Sequence, residues 1–183
     1  MKRLTIFATT AVLLAGCSSA PVEVQTVAAT TTVTTVSSFT TIGTKTIQAN
    51  KNRELWDVKV PAVLAALKKR INKTWYVFSG STPAGWDCSG LTMWAYKQLG
   101  VSIKHSATAQ AYAGHWVKTP LPGDIVVWGY GRWFQHAAIY YGNGVAIHSG
   151  WHKGFVTSFV KVNDPGFRGM TMRFVRVLPN PVN

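Results

Sequence analysis

The chain has 183 residues, 47% apolar and 12% aromatic with eight Trp, enough for one domain with a core plus shorter flanking segments. Nineteen Lys and Arg stand against six acidic residues, a formal charge of +13, which implies an anionic partner: nucleic acid, anionic lipid or an acidic polymer. The basic residues are scattered and no nucleic-acid motif is present, so nucleic acid is not expected as a partner.

The chain opens as an export signal over residues 1–17. Lys2 and Arg3 supply the positive start, and Leu4 to Leu14 is an apolar run too short to span a bilayer as a mature helix. It ends in Leu14-Ala15-Gly16-Cys17, which resembles the lipobox of bacterial lipoproteins, where cleavage before the Cys leaves it lipid-modified. Cys17 is therefore the expected lipidation site and membrane anchor, and Cys88, the other of two Cys, stays a free thiol. Residues 18–51 are rich in Thr and Ser with few large side chains, the composition of a mobile tether. The folded domain is expected over residues 52–183.

Pro61 suits the first position of a helix, on which Val63, Leu64, Leu67 and Ile71 form one apolar face. Trp75 to Phe78 read as a short extended run, and Ser79 to Gly85 as a loop. Beyond Asp87, the residues Leu91, Trp94, Ala95, Gln98 and Leu99 recur at helical spacing until Gly100. Cys88 thus falls in the first turn of a helix, where unpaired N–H groups and the macrodipole favour a thiolate. A lone buried Cys is commonly inert, but this position suggests a nucleophile. Ser106 caps a short helix through Ala113, Pro122-Gly123-Asp124 is a turn, and Ile125 to Trp128 form a strand. Gly142-Asn143-Gly144 joins His136–Tyr141 to Val145–His148 as a hairpin. Further strands are expected around Phe155 to Val160 and Arg173 to Leu178. Helices first and strands afterwards argue for an α+β domain with an antiparallel sheet.

The hairpin decides whether His136 and His148 work together. A three-residue loop, Gly142 to Gly144, pairs Ala138 with His148 and puts both histidines on one face, with Ala137, Ile139, Tyr141, Val145 and Ile147 on the other. A two-residue loop separates them. The flanking glycines favour the odd-length loop, and two histidines sharing a face with a helix-start Cys nearby suggest Cys–His chemistry.

These stretches resemble, in order and spacing, the NlpC-type cell-wall cysteine peptidases: Tyr76-Val77-Phe78, Trp86-Asp87-Cys88-Ser89-Gly90-Leu91, Pro122-Gly123-Asp124-Ile125-Val126, His136-Ala137-Ala138-Ile139-Tyr140 and Ile147-His148. The resemblance runs from about Trp75 to Leu178. It implies a minimal papain-like fold and cleavage of peptidoglycan stem peptides, most often between γ-D-glutamate and the following diamino acid. By the same resemblance Cys88 is the nucleophile, His136 the general base and acid, and His148 the third, orienting residue. Tyr76 is a candidate for oxyanion support, and Asp87 and Ser89 match positions that hold the substrate's amino end. The family usually has Trp-Gly-Gly where this chain has Phe78-Ser79-Gly80, which puts subsite preference in question. Ser106 and Gln110 fit a weaker family pattern, with His105 where a basic residue is usual, and are read as structural.

No pair of Cys or His has zinc-motif spacing, and His105, His115 and His152 lack such a context, so neither metal nor cofactor is expected. The expected partner is peptidoglycan, and the protein is expected to be a monomer, exported and anchored on a membrane facing the wall. Two alternatives are an amidase or acyltransferase on the same Cys–His fold and a non-catalytic, basic wall-binding lipoprotein.

Overall fold

A computed structural model describes residues 33–150 and 154–182; the expected export signal, with Cys17, lies outside the described residues. Helix α1 (Val33–Glu54) passes through a π-helical turn (Leu55–Lys59) into α2 (Val60–Lys68). Pro61 sits in the first turn of α2, and Val60, Val63, Leu64 and Leu67 are buried, the face that the apolar spacing predicts. Ile71 lies beyond the helix and packs on the core from outside.

The expected tether is helical from residue 33 onward, although its side chains from 43 to 48 are exposed. Scarcity of large side chains limits what a segment can bury, but not whether it continues a helix already begun. Extending α2 backwards adds hydrogen bonds without a new nucleus.

Helix α3 (Cys88–Gln98) buries Leu91, Ala95 and Tyr96. It ends where Gly100 takes a φ of 79° and Val101 N–H donates to the Tyr96 carbonyl at 2.9 Å. The short helix α4 (Ala107–Ala111) starts at Ser106, whose Oγ accepts from the Ala109 N–H at 3.3 Å.

Strands β1 (Ser81–Thr82) and β2 (Gly85–Trp86) make a small ribbon ahead of α3. The main sheet contains β3 (His115–Val117), β4 (Ile125–Tyr130), β5 (Trp133–Gly142), β6 (Val145–His148), β7 (Ser158–Lys161) and β8 (Thr171–Arg176), in the order β3-β8-β4-β5-β6-β7. Every neighbouring pair is antiparallel. One face, with Ile125, Val127, Ala137, Ile139, Ile147 and Val175, packs on the helices. The other carries Val126, Trp128, Ala138 and Ala146 under Phe167. Burial on both faces is why β4 reads as a continuous apolar run rather than an alternation. Edge strand β3 is short and mostly exposed, so it left no such pattern.

The β5–β6 hairpin differs from the expected three-residue loop. Asn143 (φ 51°) and Gly144 (φ 72°) are the two central residues of a primed turn closed by Gly142 opposite Val145. Taken alone, that two-residue turn separates the histidines. A bulge between Tyr140 and Gly142 adds the residue that restores Tyr140 opposite Ala146 and Ile139 opposite Ile147. His136 and His148 consequently share a face, in the register expected but by a different device.

At the start of β4, Asp124 is fully buried and paired with Arg176, Nη2 to Oδ2 at 2.9 Å and Nε to Oδ1 at 3.1 Å. Asp124 also accepts from the Leu121 N–H at 2.7 Å. This pair ties the Pro122-Gly123-Asp124 turn to β8, while the Tyr96 hydroxyl donates to the Gly123 carbonyl at 3.0 Å. Helix α3 is thereby fixed against the sheet that carries the histidines.

Candidate active site

Cys88 opens α3 because Asp87 ends the preceding extended segment and caps the helix. Asp87 Oδ1 accepts from the Gly90 N–H at 2.7 Å and the Ser89 hydroxyl at 3.0 Å, and lies 2.8 Å from His105 Nε2. Its Oδ2 accepts from the Ser79 N–H at 3.1 Å. Both carboxylate oxygens are thus engaged within the protein, and Ser89 is buried beside them. His105, for which the sequence indicated no role of its own, belongs to this cap.

Two backbone features hold the turn in place. A Cβ on Gly90 would sit 1.9 Å from the Gly80 carbonyl oxygen, so only glycine lets α3 approach that loop. Ser79 has a φ of 56°, a left-handed conformation that glycine adopts without strain. This is a backbone reason for the family's glycine there, and the Ser79 side chain is exposed. Gln110, fully buried, donates to the carbonyls of Ser89 at 2.8 Å and Lys104 at 2.9 Å.

The first turn of α3 meets β5 at the level of His136. Cys88 Sγ lies 4.0 Å from the carbonyl oxygen of Gln135, and the Ala137 amide also points at the sulfur. Burial pushes the Cys88 thiol up to about 11; the Ala137 N–H opposes this, Asp87 adds to it, and the N–H groups of Ser89 and Cys88 oppose it. The resting sulfur is therefore a thiol, whereas the helix start alone suggested a thiolate. Tyr76 is close enough that, after burial, the charges of Asp87 and Cys88 raise its hydroxyl pKa.

His136 is fully buried between aromatic rings, 5.6 Å from both Trp128 and Phe167 by ring centres. Its Nε2 lies 2.9 Å from His148 Nδ1, the two rings nearly perpendicular at 86°. His148 Nε2 in turn lies 3.1 Å from Ser158 Oγ. Burial, then the neighbouring His148, hold His136 well below the usual imidazole range. Burial lowers His148 to about 4 against an opposing pull from Asp164. Both imidazoles are neutral near pH 7.

The structure brings Cys88, His136, His148, Tyr76, Asp87 and Ser89 into one region. Cys17 lies outside the described residues. Ser158 had no motif of its own; its signal is positional, since β7 places it directly opposite His148. Among the described residues no cluster of three or more His, Cys, Asp or Glu could hold a metal ion.

Residues 73–176 match the family model described as NlpC/P60. The chain belongs to the NlpC/P60 family. A probable endopeptidase of Mycobacterium tuberculosis is 41% identical over 76 residues, covering 40% of this chain and 19% of that protein. A probable endopeptidase p60 of Listeria innocua is 32% identical over 90 residues, covering 48% of this chain and 19% of the relative. The matched stretch thus spans about a fifth of either relative. Among solved structures, the NlpC/p60 domain of the peptidoglycan hydrolase SagA is covered completely by 65% of this chain, with 30% identity and a TM-score of 0.55. A NlpC/P60 protein from Bacillus cereus gives a TM-score of 0.59 at 25% identity over 66% of this chain and 40% of that one. The α+β, papain-like fold expected for the NlpC/P60 family is the one observed, with N-terminal helices on an antiparallel sheet.

Proposed function

We propose that the chain is a cysteine peptidase that hydrolyses peptidoglycan stem peptides, at the γ-D-glutamyl–diamino acid amide. The observation that carries this reading is Cys88 at the start of α3, set against the backbone flanking His136, with His136 held 2.9 Å from His148. Family membership and relatives named as endopeptidases support the reaction class. The name of the structural neighbour, a peptidoglycan hydrolase, supports the substrate. An open groove of ≈ 570 Å³, lined by Thr108, Tyr112, Trp116, Gly131, Arg132 and Trp133, lies beside the strand that carries Gln135 and leaves room for a polymer beyond the scissile bond.

Because His136 Nε2 is engaged by His148, the thiol proton passes to Nδ1. With a neutral thiol and a neutral imidazole at rest, proton transfer accompanies attack of sulfur on the amide carbonyl. The Cys88 N–H and the Tyr76 hydroxyl stabilise the oxyanion. His136 then returns its proton to the leaving amine as the C–N bond breaks, leaving a thioester on Cys88. Water gives a proton to Nδ1 and attacks the thioester; the C–S bond breaks and the sulfur is reprotonated. Asp87 and Ser89 act on the substrate's amino end from the first turn of α3, which their hydrogen bonds make rigid. The reaction needs no cofactor.

In the same reading the protein works as a monomer, exported and anchored through a lipid on Cys17 of Leu14-Ala15-Gly16-Cys17. Its charge of +13 draws it to the anionic wall. Mass spectrometry of peptidoglycan fragments, wild type beside Cys88→Ala, tests the reading. New amino termini on the diamino acid, absent with the variant, are expected. Release of intact stem peptides from the sugar would mean an amidase, and wall binding without any cleavage would mean a binding module.

A further inference from the structure

We infer that Ser158 is a positioning residue for this site: its Oγ accepts a hydrogen bond from His148 Nε2–H and so supports the tautomers of both histidines in which His136 can act as a base. The inference rests on the roles proposed above for Cys88 and His136, and it starts from the register. Strands β6 and β7 set His148 directly opposite Ser158, a spacing at which cross-strand side chains touch. His148 Nε2 lies 3.1 Å from Ser158 Oγ, and His148 Nδ1 lies 2.9 Å from His136 Nε2.

Each neutral imidazole has one donor and one acceptor nitrogen, so two proton arrangements fit this chain of bonds. In one, His136 Nε2–H donates to His148 Nδ1 and His148 Nε2–H donates to Ser158 Oγ. His136 Nδ1 then carries a lone pair and can take the proton of Cys88. In the other, the Ser158 hydroxyl donates to His148 Nε2, His148 Nδ1–H donates to His136 Nε2, and His136 Nδ1 already holds a proton. Only the first supports a base, and in it Ser158 must accept.

Titratable groups face His148 from two sides. His136 faces it from β5. Asp164, in the turn after β7, favours the protonated form of His148. The Asp164 carboxylate also accepts from the Gly166 N–H at 2.9 Å, shaping the 3₁₀ turn (Pro165–Phe167) whose Phe167 ring stacks on His136 at 5.6 Å. The strand pair and the turn thus hold the ring planes, and the hydroxyl holds the proton.

The test uses the full chain and does not depend on the substrate. Nitrogen chemical shifts of labelled histidines report the tautomers, and alkylation of Cys88 by iodoacetamide, followed by mass spectrometry of its peptide, reports the basicity of the pair across pH. Wild type is expected to carry the proton of both His136 and His148 on Nε2. Ser158→Ala is expected to slow alkylation near pH 7.5 by about fivefold, the loss of roughly one neutral hydrogen bond, and Ser158→Thr to keep the rate within about twofold. Ser158→Asp puts an anion beside the pair, favours the imidazolium, and moves the acidic limb of the alkylation profile up by about one pH unit or more. The tautomers and the rescue by Ser158→Thr are the readouts that a merely structural serine would leave unmoved; Ser158→Asp checks that position 158 reaches the pair. His148 protonated on Nδ1 in wild type would overturn the inference even if Ser158→Ala does not fold. So would alkylation and tautomers unchanged in Ser158→Ala, or an acidic limb unmoved in Ser158→Asp. Failure of wild type to cut peptidoglycan, with these results intact, would count against the proposed substrate alone.

Discussion

Acid should weaken this fold through His148, and the amount follows from its surroundings. Burial lowers His148 to about 4, against about 6.5 for an unfolded histidine. With the folded pKa below the unfolded one, the unfolded chain binds the proton first. The contribution is therefore complete above about pH 6.5 and is lost as pH falls toward 4. Linking the two pKa values gives a loss of about 2 kcal/mol between pH 7 and pH 5 from this residue, and about 3 kcal/mol by pH 4. His136, held low by the same burial, adds to the loss with the same sign. Urea unfolding at pH 7 and pH 5 measures it; at a slope of 1–3 kcal/mol/M, about 2 kcal/mol moves the midpoint by roughly 1 M. His148→Asn, which cannot take up a proton, should lose about 2 kcal/mol less over that interval. Equal wild-type midpoints at the two pH values, or an undiminished loss in the variant, would refute the reasoning.

Other outcomes follow from the packing. Gly90→Ala places a methyl group 1.9 Å from the Gly80 carbonyl oxygen; backbone must move, and destabilisation of about 2 kcal/mol or more is expected by thermal unfolding. Arg176→Met leaves Asp124 buried without its cation and should cost about 3–5 kcal/mol, while the double variant with Asp124→Leu should cost less than the single one in the same melt. Deleting Tyr141 removes the bulge residue but keeps Ile139 opposite Ile147 and Tyr140 opposite Ala146. The histidines should stay 2.9 Å apart, and Cys88 alkylation should stay within about tenfold of wild type, the allowance for losing the Tyr141–Phe159 ring pair.

The sequence was most legible where one side chain sets the local geometry. Asp87 before Cys88, Ser106 and Gly100 each mark a helix end that the structure has, whereas the helix expected to begin at Pro61 is already running when it reaches that residue. Reading β4 from Ile125 to Trp128 succeeded because both faces of the sheet are covered. Strand β8 begins at Thr171 rather than near Arg173, since flanking residues alternate too weakly to mark its start. The hairpin was right in register and wrong in mechanism: an Asn-Gly turn with an added bulge and a three-residue loop give the same pairing further along the strands. The part played by Ser158 depends on β7 lying beside β6, a contact that no short motif encodes.

The β5–β6 hairpin behaves like a reading frame. Its two-residue turn shifts the frame by one and the bulge shifts it back, so His148 is read on the same side of the sheet as His136. A single length change that moves this frame would carry His148 through to the helix side and disable the pair while leaving the strands hydrogen-bonded. A second change of opposite sense elsewhere in the hairpin would suppress the first. Turn and bulge are separate in sequence, and only removal of the bulge residue itself, which leaves Tyr140 opposite Ala146 and Gly142 opposite Val145, shortens the hairpin without moving that frame.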